Sequence, residues 1–193
     1  MDKPAIRLNK FEVAERLLNQ AILLFFEEGD PISVHTLAEA ASQIFYDLRV
    51  QFGAKSLLRD SDLIRNEYKK EWLDYLQKYR NFFKHADREP SETLEFKESL
   101  NHYHLLDAVN MYSQMKKVWT PETVMLISWI TLKYPHIMKE DSEMVRNAKE
   151  FQKGSIPVSI DHLGFYAQAI RALRDGSTTN PNISLKFGLP EKG

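Results

Sequence analysis

The sequence predicts an all-α protein that begins as an up-and-down helical bundle. Apolar residues recur at intervals of three and four through several long segments, which is the spacing of one face of a helix. The first two segments are separated only by the turn at residues 29–31, and helices joined by so short a turn pack as antiparallel neighbours. At 193 residues, the chain is long enough for one domain with a sizeable core.

The first helix is predicted from Asn9 to Glu28, with Asn9 as its N-cap. The second is predicted from Pro31 to near Gly53, capped by Asp30. Its predicted buried residues are Val34, Leu37, Ala41, Ile44, Phe45 and Leu48. His35 lies beside this stripe, so we expect it to pack or hydrogen-bond within the bundle rather than belong to a functional site.

A third helix is predicted from Asn66 onwards, because aromatic and apolar residues follow one another there at helical spacing. The preceding polar connection, residues 55–65, is interpreted as a solvated linker, with a mobile loop over the site as the alternative. After the breaker at residues 89–91, residues 93–96 alternate like a short strand or extended link. A fourth helix is then expected from about Glu98 to Val118. Its predicted inner residues are Leu100, Leu105, Ala108, Val109, Tyr112 and Met115.

The organisation predicted for the whole chain is a four-helix core over residues 1–120, a helical extension over 121–175 packed on that core, and a turn-rich tail over 176–193. Within the extension, helices are expected from Pro121 to Tyr134, over residues 141–152, and after Asp161 as a cap. Residues 183–187 alternate like a strand or an exposed arm. The extension and tail could widen a dimer, cover a cleft or dock a partner, and the sequence does not choose among these roles.

Composition predicts a cytoplasmic protein that does not enter a membrane. The chain contains no cysteine, which excludes disulfides and thiolate metal sites. Neither an apolar signal segment nor an apolar run long enough to cross a bilayer is present in the sequence. The formal net charge of −1 argues against a broad nucleic-acid-coating surface, so any RNA contact must be local. We expect no cofactor.

The segment over residues 79–88 concentrates the groups that could handle a phosphate. A guanidinium offers a forked donor to phosphate oxygens, and an imidazole can exchange a proton near neutral pH. On an ideal helix Asn81 and His85 share a face, whereas Arg80 and His85 point about 140° apart. Either the helix loosens before Asp87 or a second copy of the chain completes the site. The structural alternative is that cations near a helix C-terminus only complement the helix dipole.

Arg80-Asn81 followed by three residues and His85 resembles the Arg-polar-x3-His motif of the HEPN superfamily. The resemblance covers roughly residues 10–118 and implies a small helical bundle that forms a homodimer. In the ribonuclease branches of that family, the motifs of two protomers meet at the dimer interface. No motif identifies the segment that follows.

The resemblance implies a metal-independent endoribonuclease with a toxin–antitoxin or defence role and a neutralising protein partner. His85 would be the general acid or base, Arg80 would hold the phosphate, and Asn81 would orient one of them. RNA contacts are expected from Lys78, Lys84 and Arg88, with solvation as the alternative for Lys84. DNA is not an expected substrate because it lacks the attacking 2'-hydroxyl. The alternatives are a non-catalytic dimeric module that binds nucleotide, RNA or protein, and a purely structural subunit.

His102 and His104 are the other candidates for chemistry, but no metal site is predicted from them. They point about 200° apart on a helix, and neither has a second histidine one turn away. The nearest carboxylates in sequence are Glu98 and Asp107, which could make orienting hydrogen bonds to these histidines or take part in weak ligation. A catalytic zinc ion normally takes three protein ligands.

Overall fold

The computed structural model describes residues 5–62, 64–85, 87, 90–137 and 160–175. All regular secondary structure in these residues is helical, which confirms the all-α prediction. Two short 3-10 helices, Asn66–Tyr68 and Pro135–Ile137, accompany six α-helices. The α-helices are α1 (Lys10–Phe26), α2 (Pro31–Phe52), α3 (Lys69–Lys84), α4 (Leu100–Lys116), α5 (Pro121–Lys133) and α6 (Leu163–Arg174).

Helices α1 and α2 form a closely packed pair whose ends follow from local sequence. Asn9 and Glu12 form a capping box, in which each side chain accepts a hydrogen bond from the other residue's backbone N–H. The Asp30 carboxylate caps α2 by accepting from the Ser33 N–H at 2.7 Å. Gly53 ends α2 in the left-handed region with φ of 65°, a conformation that glycine adopts without steric cost.

One hydrophobic core runs through α1, α2, α4, α5 and α6. Leu126 and Ile130 of α5 and Ile170 of α6 are as fully buried in it as Leu18 of α1. The core therefore continues past residue 120, and the division of the chain there stays a prediction. Helix α3 buries Leu76 and Tyr79 outside this core, against the side of α2.

The buried sides of α2 and α4 are more polar than predicted. On α2, Leu37, Ile44 and Leu48 are only partly buried, while His35, Glu39 and Ser42 are buried. On α4, Leu100 is likewise only partly buried. The buried polar residues of that helix are Asn101, His104 and Asp107. Leu37, Ile44 and Leu48 still pack against the core, so the predicted stripe on α2 is present, but α2 and α4 also meet along a line of polar side chains that the spacing did not predict.

The start of α6 also corrects the prediction. His162, not Asp161, occupies the N-cap position, and its side chain makes no capping hydrogen bond. The Asp161 carboxylate instead lies 3.2 Å from Lys133 Nζ. The helix predicted over 141–152 and the alternating segment over 183–187 lie outside the described residues. Residues 93–96 form neither a helix nor a strand.

Arg174 and Glu122 join α6 to α5 by an ion pair. Glu122 is buried, so the pair holds the last described helix against the core. None of the helices described is long and apolar enough to cross a membrane.

Candidate functional site

Helix α3 carries the candidate motif and is fixed to the bundle along one side. Trp72 Nε1 donates a 2.7 Å hydrogen bond to the Leu58 carbonyl in the preceding loop. Further along the helix, the rings of Tyr79 and Phe83 lie 5.9 and 5.6 Å from the buried ring of His35 on α2. Both also contact Phe96, in the extended segment before α4. The end of α3 is thus held by aromatic contacts rather than by the main core.

Arg80 turns towards α2 and is held by two neutral amides. Its Nη1 donates to Gln43 Oε1 at 2.5 Å, and its Nη2 donates to Gln77 Oε1 at 3.2 Å. The guanidinium is partly buried, and no carboxylate within the described residues forms an ion pair with it. Arg80 therefore keeps an uncompensated positive charge in a fixed orientation, which suits the binding of an anion.

His85 lies at the end of α3 and faces water. It occupies the C-cap position, where its backbone N–H donates to the Asn81 carbonyl at 3.1 Å. The imidazole is 42% exposed, and its Nδ1 lies 3.9 Å from a carboxylate oxygen of Asp87. The ring is therefore accessible to a ligand from solvent.

The structure does not bring Arg80 and His85 onto one common partner. Arg80 is directed at Gln43, whereas His85 is next to Asp87, and the two share no hydrogen-bond partner among the described residues. Asn81 is partly buried and contacts His85 through its backbone carbonyl. Of the predicted RNA-contacting residues, Lys78 and Lys84 are exposed. Arg88 lies outside the described residues.

A network of mostly buried polar side chains lies next to Arg80 and contacts it through Gln43. Most of its members were not predicted from the sequence. It consists of side chains spaced four residues apart on α2 and three apart on α4, together with Arg59 from the loop between α2 and α3. These regular spacings were the available signal, since they place the polar groups on one face of each helix. The members are His35, Glu39, Gln43, Arg59, Asn101, His104 and Asp107.

Glu39 is the centre of the network. One carboxylate oxygen is in close contact with His104 Nδ1, and the other lies 3.6 Å from Arg59 Nη2. Burial by itself would raise the pKa of Glu39, but the contact with His104 and the charge of Arg59 hold it below its ordinary value. Arg59 Nη1 also donates to Gln43 Oε1 at 3.4 Å, so Gln43 accepts from both Arg59 and Arg80.

His35 is buried and held as a neutral ring. Asn101 Nδ2 donates to the Pro31 carbonyl at 2.9 Å, which leaves Asn101 Oδ1 to accept from His35 Nδ1 at 3.0 Å. Its other ring nitrogen, Nε2, is buried without a hydrogen-bond partner. Burial, reinforced by nearby His104, lowers the pKa of His35 to about 4. The prediction that His35 is a packed, hydrogen-bonded histidine is confirmed.

Asp107 holds the loop that supplies Arg59. Its carboxylate accepts from the Ser56 hydroxyl at 2.9 Å and from the Leu57 N–H at 2.6 Å. Ser56 Oγ in turn accepts from the Arg59 N–H at 2.9 Å. Burial raises the pKa of Asp107, although these hydrogen bonds oppose the shift. The loop over 55–62 is therefore anchored to α4 rather than being only a solvated linker.

The predicted partners of the two α4 histidines were wrong. His104 contacts Glu39 rather than Asp107, and His102 Nδ1 lies 2.6 Å from the Tyr134 hydroxyl rather than next to Glu98. Burial and the charge of Lys133 lower the pKa of His102 to about 4. No group of three potential metal ligands occurs in the part of the chain that the structure describes.

No protein-family model, no curated protein and no solved structure matches this chain.

Proposed function

We propose that this chain is a metal-independent endoribonuclease of the HEPN type that acts as a homodimer. In this reaction the RNA 2'-hydroxyl attacks the adjacent phosphorus, and the bond from phosphorus to the 5'-oxygen of the next nucleotide breaks. The products are a 2',3'-cyclic phosphate and a 5'-hydroxyl. One proton leaves the attacking hydroxyl and one is gained by the departing oxygen, and His85 would carry out one of these transfers.

The state of Arg80 is the observation that carries this proposal. Two glutamine oxygens orient the guanidinium without neutralising it. The charge of Arg59, by comparison, is compensated by the carboxylate of Glu39. An oriented, unpaired guanidinium can bind a phosphate and stabilise the charge that develops on its oxygens.

A twofold dimer would resolve the separation of the two motif residues. Within one chain Arg80 is directed towards α2, whereas His85 is exposed at the helix end. If the α3 ends of two copies faced each other, Arg80 of one copy could serve the same phosphate as His85 of the other. Twofold symmetry is the commonest arrangement of soluble homo-oligomers.

The test is to incubate the purified protein with mixed single-stranded RNA in EDTA. Wild-type protein is expected to produce fragments with 2',3'-cyclic phosphate ends, and His85→Ala is expected to abolish them. His136→Ala is the matched control, because His136 is also exposed but lies on the 3-10 helix after α5. Cleavage that survives His85→Ala, or that requires a metal ion, would refute the proposal.

The second candidate is a dimeric HEPN-like module that binds RNA, nucleotide or a protein without turnover. It is favoured by the divergence of Arg80 and His85, since a lone oriented guanidinium is enough to hold a phosphate. In the same assay this function would leave the RNA intact while salt-sensitive RNA binding persists.

A further inference from the structure

We infer that single-stranded RNA binds along the outward face of α3, with its bases stacked on a row of aromatic side chains. This face, called the α3 track below, consists of Tyr68, Tyr75, Lys78 and Phe82 and ends at His85. The inference deepens the proposed ribonuclease function and rests on it, because it names where the substrate strand lies.

The aromatic members of the α3 track are evenly spaced and open to water. Tyr68, Tyr75 and Phe82 follow one another at intervals of seven residues, or about 10 Å per interval along a helix. Tyr68 is 49% exposed and Tyr75 is 47% exposed. Phe82 is partly exposed, and among the described aromatic rings it contacts that of its neighbour Phe83 alone. Aromatic rings exposed in this way are platforms on which bases of any sequence can stack.

Tyr75 is supported from beneath by a fixed ring. Its ring stacks on Trp72 with centroids 6.0 Å apart and planes inclined by 23°. Trp72 is itself held by its hydrogen bond to the Leu58 carbonyl. A base that stacked on Tyr75 would thus extend an existing stack and would order little that is not already ordered.

The segment that carries the α3 track has a positive net charge, although Glu71, three residues after Tyr68 and four before Tyr75, puts one exposed carboxylate on the same side of the helix. Residues 65–84 contain six lysines and arginines but only three carboxylates, although the whole chain has a net charge of −1. Lys78 is exposed between Tyr75 and Phe82 and has no ion-pair partner among the described residues. At the other end, the Arg65 guanidinium lies 4.9 Å over the ring of Tyr68 and forms an exposed ion pair with Glu67 at 3.5 Å. A free lysine between exposed aromatic rings, as Lys78 is between Tyr75 and Phe82, is typical of single-strand binding surfaces.

The α3 track leads to the candidate catalytic histidine. Tyr75, Lys78, Phe82 and His85 are separated by three, four and three residues, a spacing that keeps side chains on one side of a helix. A strand that followed the track would pass the exposed His85 imidazole at the helix end. This geometry favours RNA over a second protein, because the face carries tyrosines and a free lysine but no aliphatic side chain.

The test uses a single-stranded 12-nucleotide RNA with 2'-O-methyl groups, which cannot be cleaved because it lacks the attacking hydroxyl. Binding is measured by fluorescence anisotropy at low salt. Tyr75→Ala is expected to raise Kd about tenfold, the effect of losing one stacked base. Lys78→Glu is expected to raise Kd and to flatten its dependence on salt.

Two substitutions provide matched controls. Tyr103→Ala removes a tyrosine that is about as exposed as Tyr75 but lies on α4. Lys10→Glu reverses an exposed charge at the start of α1. Both are expected to bind RNA like the wild type. Circular dichroism of each variant would verify that α3 remains folded.

The inference is overturned if the wild type does not bind this RNA, or if Tyr75→Ala and Lys78→Glu bind as well as the controls. It is also overturned if Tyr75→Ala converts a dimer into a monomer in sedimentation, since the track would then be a contact between copies. Failure of the ribonuclease proposal gives a different result. The unmodified RNA would stay intact, while binding of the modified RNA would still depend on Tyr75.

Discussion

Arg80 and Gln43 connect the motif helix to α2 through a 2.5 Å hydrogen bond from the guanidinium to the amide oxygen. The same oxygen lies 3.4 Å from a second guanidinium, that of Arg59. Gln43 Nε2 donates to Asp47 at 2.8 Å, which fixes the amide so that its oxygen faces the two arginines. A neutral acceptor between two cations leaves Arg80 oriented but still charged.

Replacing Gln43 with glutamate should separate stability from activity. The Gln43→Glu side chain has the same shape but would put a carboxylate between Arg59 and Arg80. We expect little change in the melting temperature, because the new ion pairs with Arg59 and Arg80 are offset by the lost hydrogen bond to Asp47 and by the repulsion between the two carboxylates. RNA cleavage should fall at least about tenfold, since the charge that would bind phosphate is neutralised. Melting curves and the cleavage assay in EDTA measure the two effects.

The control for this change is Gln20→Glu, at an exposed position on α1. It adds the same charge to the chain without reaching Arg80, so its cleavage rate should match the wild type. Full cleavage by Gln43→Glu would show that the charge of Arg80 does not contribute to the reaction.

Glu39 should contribute strongly to folding. The substitution Glu39→Gln leaves the buried Arg59 guanidinium without its carboxylate and weakens the contact with His104. Breaking a buried ion pair typically costs about 3 to 5 kcal/mol of unfolding free energy. Urea unfolding followed by circular dichroism measures this loss. In the exposed Arg65–Glu67 pair, Glu67→Gln should change stability by less than about 1 kcal/mol. Equal effects of the two substitutions would contradict a structural role for the buried pair.

Stability should decline as the pH falls from 7.5 to 5. The pKa of His35 is lowered from an ordinary 6.5 to about 4, chiefly by burial. Between these values the unfolded chain binds a proton that the folded chain does not, so the stability present above pH 6.5 is lost as the pH approaches 4. For His35 the loss by pH 5 is about 2 kcal/mol. The lowered pKa of His102 also makes the fold less stable as the pH falls, whereas the raised pKa of Asp107 makes it more stable at low pH.

Urea unfolding at several pH values would measure this dependence. His35→Gln removes one titrating ring and should reduce the slope of stability against pH, even if the variant is less stable overall. The exposed His136 provides the control, because His136→Gln should leave the slope unchanged. If His35→Gln has the wild-type slope, the ring is not held neutral by burial, and His102→Phe then tests the second ring independently.

Helices and their ends were predictable because their causes are local. Asn9, Asp30 and Gly53 cap helices through contacts within a few residues, and the structure has these caps where the sequence predicts them. The position of the motif at the end of α3 was also predictable, from the spacing of the aromatic residues before it.

The buried network was not predictable in the same way. Glu39 and Gln43 look like the polar side of an amphipathic helix, and only their contacts with His104 and Arg80 show otherwise. Those partners are 65 and 37 residues distant in sequence, so no local pattern pairs them. The carboxylate nearest to His104 in sequence is Asp107, whereas its partner Glu39 lies on another helix.

Asp107 should control the order of the loop that contains Arg59 and that accepts the hydrogen bond from Trp72 on α3. The carboxylate accepts from the Ser56 hydroxyl and from the Leu57 N–H, and an amide in its place can accept fewer of these bonds. We expect Asp107→Asn to destabilise the fold by about 2 kcal/mol, because buried donors lose a charged acceptor. Hydrogen exchange should quicken first at residues 56–60 and at the start of α3, since Trp72 is attached to Leu58. Asp175→Asn, at the exposed C-terminal end of α6, should leave exchange in that loop unchanged. A uniform increase over the whole chain would instead mean that Asp107 supports the core and not this loop in particular.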